Sequence, residues 1–248
     1  MSWSLALALG LATTACRMDL GEVDGVFYDG DGRLVHCAVA IDRAAGNTLA
    51  SIDSALDRAA DRHEVVELYA HRPALSLSLA TIEHVLAGAR DRGLAFVTYA
   101  DFAAGGGTGP GVALSFDDSD VPSWMAARSL FARYEARVTF FVTRYGSLSE
   151  RDRGSIRALA NDGHDIEAHS VLHLRAPSYV EDHGLRAYLD DEAVPSIDVL
   201  RAAGYPVTAY AYPFGARTDE LDRALGKHVT IVRSVSYAED GVSDPCPR

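Results

Sequence analysis

A single α/β barrel is the fold class that this sequence predicts, and three observations predict it. From about residue 35 onward, short β-rich runs alternate with amphipathic stretches of helical period, which implies repeated βα units and a parallel sheet. The chain has 248 residues, 48% of them hydrophobic and 23% charged. It can bury the core of one large α/β domain, and it is neither a disordered chain nor a multi-span membrane protein. So many units in one domain of about 230 residues also fit a closed barrel better than a doubly wound open sheet, the competing arrangement.

The elements follow in order. Residues 35–41 read as the first strand, and 48–61 as a helix, because Leu49, Ile52, Leu56 and Ala59 recur near helical spacing. A strand over 64–70, a helix over 79–92 stopped by Gly93, and a strand over 94–99 come next. The run Gly105-Gly106-Gly107-Thr108-Gly109-Pro110-Gly111 reads as a flexible linker. It is not a phosphate loop, because a strand follows it and no Gly-Lys-Ser/Thr is present. Beyond it lie a strand at 112–116, a helix at 123–135, a strand at 138–142, a helix at 149–161 and a short strand at 165–168. A helical region spans 182–203 with an interruption at Pro195. A strand at 207–211, a helix at 218–225 and a strand at 229–232 complete the pattern. Asp29-Gly30-Asp31-Gly32 reads as a hairpin turn, since it lacks the later ligands of a calcium loop.

The front end is different in kind. Residues 3–15 form a short apolar run ending in small residues directly before Cys16, as in an export leader. Thr13-Thr14-Ala15-Cys16 is similar to a bacterial lipoprotein processing site, with Cys16 lipidated and anchoring the chain to a membrane; plain secretion and a displaced start are the alternatives. The division expected is therefore 1–16 as processing segment, 17–34 as linker or N-terminal hairpin, and 35–248 as the barrel. An extracytoplasmic location leaves Cys37 and Cys246 as either one disulfide or two free thiols. Lys plus Arg number 23 against 35 Asp plus Glu, a net charge of −12 that repels phosphate backbones, so no nucleic-acid partner is expected.

Chemistry gathers just past the C-terminal ends of predicted strands, the rim where α/β barrels place their active sites. Asp117-Asp118 follow strand 112–116, His169 and His173 follow 165–168, Tyr212-Pro213-Phe214-Gly215 follow 207–211, and His71 follows 64–70. His169 and His173 are one helical turn apart, so both can face one metal, and Asp118 supplies the carboxylate of a His₂Asp site. A metal on one of two adjacent aspartates leaves the other free as a base; the competing use of the pair is to cap the next helix. His36, His63, His84, His164, His183 and His228 read as flank or surface positions, and Trp124, Phe131 and Tyr134 as core. Tyr145 and Tyr179 are the loop aromatics placed to stack on a ring.

Ser115-Phe116-Asp117-Asp118, His169-Ser170-Val171-Leu172-His173 and Tyr212-Pro213-Phe214-Gly215 resemble the first three motifs of the polysaccharide deacetylase family (the NodB-homology carbohydrate esterases), over about 111–235. The family's fifth motif, a Leu and a His late in the chain, finds its match early instead, in Leu68-Tyr69-Ala70-His71, and Phe96-Val97-Thr98-Tyr99 resembles the family's last strand. The chain thus reads as an irregular (β/α) barrel of that type, circularly permuted, with the glycine stretch joining the old ends and a Cys37–Cys246 bond tying the cut segments together.

The resemblance implies Asp118, His169 and His173 as ligands of a divalent metal, zinc first and cobalt, nickel or iron as alternatives. It implies Asp117 as general base, His71 as general acid and the Phe214 N–H as an oxyanion donor. The implied activity is removal of acetyl groups from an N-acetylated glycan: peptidoglycan, poly-N-acetylglucosamine or a chitin-like oligomer. O-acetyl ester hydrolysis and a silent glycan-binding protein are the alternatives. Two positions depart from the pattern. Ala211 stands where the third motif has an arginine, for which Arg233 is the candidate substitute, and the fourth motif's aspartate has only Asp42 as a candidate.

Overall fold

The computed structural model describes residues 19–236 and 243–247; the apolar leader and Cys16 lie outside them. The chain enters through β1 (Phe27–Tyr28), β2 (Val35–Ala40), α1 (Leu49–Arg62) and β3 (Val65–Ala70). The first half closes with α2 (Leu79–Asp91), β4 (Ala95–Phe96) and α3 (Tyr99–Ala103). Then come β5 (Gly111–Asp118), α4 (Val121–Arg133), β6 (Thr139–Val142), α5 (Glu150–Asn161) and β7 (Asp165–Ala168). The end is built from α6 (Ala176–His183), α7 (Leu185–Tyr188), α8 (Val194–Ala202), β8 (Ala209–Ala211), α9 (Asp219–Leu225) and β9 (Ile231–Val235).

Seven of these strands close into the expected barrel. Their order is β2-β3-β5-β6-β7-β8-β9, with β9 returning to β2, and every pair is parallel. All seven C-terminal ends therefore share one rim. The two-residue period of a strand then sorts the side chains. Val66, Leu68, Val112, Leu114, Phe116 and Phe140 face outward and join Ile52, Leu56, Ile82, Leu86, Trp124 and Phe131 from the surrounding helices in one apolar layer. The alternate positions Val65, Ala113, Phe141, Ala209, Ala211 and Ile231 face inward, where Tyr99 and Phe102 of α3 meet them. Continuing that inward parity along the same strands leads to Asp117, His169, Arg233 and His71.

The interior is also polar. His36 and Glu67 are buried and paired at 2.9 Å, and the Tyr99 hydroxyl donates to the other Glu67 oxygen at 2.7 Å. The surface reading of His36 is thus corrected, and so is that of His164, which is buried beside Phe131 and Phe140. Burial pushes the His164 imidazole down to about 4.

Three elements differ from the sequence reading. The strand expected over 94–99 stops at Phe96, because Thr98 and Asp101 form a reciprocal capping box that opens α3 at Tyr99. In the 182–203 region the chain breaks at Gly184 rather than Pro195. A wide π-helical turn, Leu189–Ala193, leads directly into α8 (Val194–Ala202), which carries Pro195 in its first turn. Asp29–Gly32 turns the chain but makes no hairpin, since β1 pairs antiparallel with β3 rather than with β2. The glycine stretch does join α3 to β5, yet it packs: a Cβ on Gly107, whose φ is +70°, would lie 2.7 Å from the Phe102 ring.

Cys37 and Cys246 form a disulfide with a Cα–Cα distance of 6.2 Å, tying the C-terminal tail to β2. Among the described residues no helix is long and apolar enough to cross a membrane.

Candidate active site

Each strand of the rim delivers its residue by the same logic, a buried strand ending in a polar side chain. Asp117 and Asp118 end β5. Neither caps the following helix, a task taken by Asp120, which accepts from Ser123 N–H. Asp117 points inward and is buried; Asp118, turned by a positive φ of 83°, reaches the rim. His169, just past β7, is buried, and its Nδ1–H donates to the Ala211 carbonyl at 2.8 Å. That bond fixes the tautomer and leaves Nε2 bare, 3.7 Å from Asp118 Oδ1. His173 Nε2 lies 3.2 Å from the same oxygen. The two histidines are not on a helix as their spacing suggested. They sit on a loop in which Ser170 and His173 have positive φ and Ser170 Oγ accepts from His173 N–H at 2.9 Å.

One ligand atom from each of Asp118, His169 and His173 lies within 4.8 Å of the others. Two imidazole nitrogens and one carboxylate oxygen, with one tautomer fixed by an outer hydrogen bond, form a donor set that could hold a divalent metal. Burial pushes the His169 imidazole down to about 4 and lowers that of His173 despite the nearby aspartates, so both rings are neutral, as ligation requires.

Asp117 is paired inside the barrel with Arg233, whose Nη2 contacts both of its carboxylate oxygens. The guanidinium carbon lies 4.9 Å from the ring centres of both Tyr69 and Phe141, a flat slot that suits a planar cation. Burial by itself would raise the Asp117 carboxyl, but the charge of Arg233, with that of His71, holds it below the usual carboxylate range. Arg233 is the β-register partner of Ala211, so the arginine sits one strand over from the position where the third motif would carry one.

His71 faces this pair from β3, the parallel neighbour of β5. Asp42, at the end of β2, holds its Nδ1 at 2.6 Å. Burial works to lower the imidazole, but the Asp42 hydrogen bond and the charges of Asp117, Asp42 and Asp118 raise it to about 9. The Trp124 indole N–H donates to the His71 carbonyl at 3.0 Å, so this core residue also anchors the loop.

Phe214 lies in a single turn, Pro213–Gly215, with φ of 61°. Its ring centre is 4.6 Å from that of His173, and it stands 54% exposed at the mouth. Gly215 N–H is taken by the Tyr212 carbonyl, whereas the Phe214 N–H has no hydrogen-bond partner among the described residues. Tyr145, buried against Tyr205, and Tyr179, stacked on His183, make no contact with these residues.

The family model for polysaccharide deacetylases matches residues 104–230, just over half of the chain. The chain belongs to the polysaccharide deacetylase family. Membership makes it a hydrolase acting on an acetylated polysaccharide. Among solved structures, IcaB from Ammonifex degensii is similar at a TM-score of 0.58 and 22% identity, covering 73% of this chain and 86% of that one. A polysaccharide deacetylase from Bacillus cereus matches at 0.56 and 18%, covering 68% and 57%. A de-N-acetylase from Aggregatibacter actinomycetemcomitans matches at 0.55 and 15%, covering 69% and 94%. These likenesses carry the barrel fold. Among curated proteins, no sequence matches.

Sequence reasoning reached Arg233 and Asp42 only as candidates, and it missed the Trp124 anchor. A charged residue beside the apolar run 229–232 was the available signal, because a buried guanidinium needs a carboxylate partner.

Proposed function

We propose that this deacetylase removes acetyl groups from an N-acetylated glycan, peptidoglycan, poly-N-acetylglucosamine or chitin-like, using a divalent metal at Asp118, His169 and His173. Zinc is the metal that the His₂Asp donor set fits first, with cobalt, nickel or iron as alternatives. When bound, the metal supplies Lewis acidity to the acetyl carbonyl and lowers the pKa of water.

Asp117, ionised by its Arg233 partner, takes a proton from the attacking water as the water oxygen bonds to the acetyl carbon. The Phe214 N–H is the donor available to the oxyanion that develops. His71, held through Nδ1 by Asp42, presents protonated Nε2 and gives that proton to the amine as the carbon–nitrogen bond breaks. Acetate and a free amine result, with no covalent acyl-enzyme.

The observation that carries this reading is the pair of opposed environments, Arg233 on one aspartate and Asp42 on the histidine, flanking one cluster of three ligand atoms. The Arg233–Asp117 pair supports catalysis over the silent binding protein, because it gives the proposed base a charged partner. Acetate release from a panel of N- and O-acetylated glycans, with and without chelator, tests it. Chelator-sensitive release from an N-acetylated member, lost in Asp117→Asn and His71→Ala, is the expected result. No release from any member by metal-loaded protein would defeat it.

The circular permutation belongs to the same reading. It is supported by a family match that begins at residue 104, at the glycine stretch, while His71 and Asp42 lie before it. The disulfide and the leader-like N-terminus support an extracytoplasmic place, with Cys16 as lipid anchor.

A further inference from the structure

The loop between the two histidines needs something to hold it. Ser170 and His173 both have positive φ, a strained conformation for residues other than glycine. Packing does not supply the restraint at its centre, because Leu172 is 54% exposed. The restraint is polar and comes from two sides. Glu192 Oε2 accepts from Leu172 N–H at 2.9 Å, and Arg144 Nη2 donates to the Leu172 carbonyl at 3.1 Å. The peptide groups on both sides of one residue are thus clamped by side chains from two different elements. Thr143 Oγ1 adds a third bond, to the Ser170 carbonyl at 3.1 Å.

Glu192 is 1% exposed and belongs to the π-helical turn Leu189–Ala193. Such a turn carries one residue more than an α-turn, which rotates the following positions about the helix axis. Here it brings a carboxylate to the back of the ligand loop. Arg144, just past β6 with φ of 56°, closes the clamp from the rim.

We propose that Glu192, with Arg144, is a positioning residue for the metal site, setting the backbone between His169 and His173 and so the place of the His173 nitrogen. This rests on Asp118, His169 and His173 binding a metal. Neither residue touches the metal or the substrate in this role; both act through the Leu172 peptide groups.

The test is zinc affinity by competition with a chromophoric chelator, together with the visible ligand-field spectrum of the cobalt-loaded protein. Both are read on wild type, Glu192→Ala, Glu192→Gln and Arg144→Met. Outer residues that orient ligands typically contribute about 10–100-fold to metal affinity. Glu192→Ala should therefore weaken zinc by about that factor and alter the cobalt bands. Glu192→Gln, whose amide oxygen still accepts from Leu172 N–H, should stay near wild type. Arg144→Met, a change at an exposed side chain, should weaken zinc in the same direction but less.

Wild type that takes up no zinc would overturn the metal reading and the clamp with it. Wild-type affinity and spectrum in Glu192→Ala, with wild type itself binding zinc, would overturn the clamp alone. If Glu192→Ala does not fold, Arg144→Met decides, and unchanged zinc affinity there overturns the clamp.

Discussion

The two ends of this site that the proposed mechanism uses as base and acid are built in opposite ways. Asp117 stands inside the barrel, 3% exposed, against an arginine slotted between two aromatic rings. His71 stands at the rim, its side chain 37% exposed, against the carboxylate of Asp42. On one side a cation keeps a carboxyl ionised that burial would otherwise neutralise. On the other a carboxylate lifts an imidazole to about 9. Environment thus sets the two groups apart, and each is held across neutral pH in the form that its proposed role needs.

The largest expected effect comes from removing the base. Asp117→Asn should lower acetate release by about 10²–10⁴-fold while zinc uptake stays as in wild type, since the ligand atoms are untouched. Near-normal turnover would reassign the base.

Removing its partner breaks the buried end differently. Arg233→Met leaves Asp117 as an uncompensated buried charge and should cost about 3–5 kcal/mol in urea unfolding. Wild-type stability would mean the pair contributes nothing net. Because Ala211 and Arg233 are register partners on adjacent strands, the double change Ala211→Arg with Arg233→Ala should recover about tenfold of the activity lost in Arg233→Ala alone, a coupling of about 1.4 kcal/mol. Additive losses would show that only β9 can present the guanidinium.

At the exposed end the effects are smaller and appear in pH profiles. Asp42→Asn removes a charge that helps to raise His71 while its amide oxygen can still accept from Nδ1–H, so the basic limb of the rate profile should move to lower pH. An unmoved limb would separate Asp42 from the acid. Stability follows the same sign. With His71 near 9 folded and 6.5 unfolded, its contribution is fully present below about 6.5 and is lost as pH rises through 9. The melting temperature of wild type should therefore fall across that window more than that of Asp42→Asn.

How much of this was legible in the sequence depends on which residues were local. Asp117-Asp118, His169-x-x-x-His173 and His71 stand just past the ends of apolar runs, so the rim rule for α/β barrels already brings them to one face. Arg233 was harder, because the strand was read as ending at Val232, whereas β9 runs Ile231–Val235 and carries the arginine inward. Its relation to Ala211 exists only in the β8–β9 register. His36 and Glu67 satisfy one another across β2 and β3, and polar residues read one at a time give no sign of such a pairing. Tyr99 reads from the apolar run before it as the end of a strand, but Thr98 and Asp101 cap it reciprocally as the start of α3.

The most direct test of the central claim separates the acid from the base by leaving group. Zinc-loaded wild type, Asp117→Asn and His71→Ala are compared on an N-acetylglucosamine oligomer and on 4-nitrophenyl acetate, whose phenolate departs without a proton. The account predicts that Asp117→Asn loses about 10²–10⁴-fold on both substrates. His71→Ala should lose a similar factor on the amide and little on the ester. Equal losses by His71→Ala on both substrates would contradict its role as the acid, and undiminished Asp117→Asn activity on either would contradict the base.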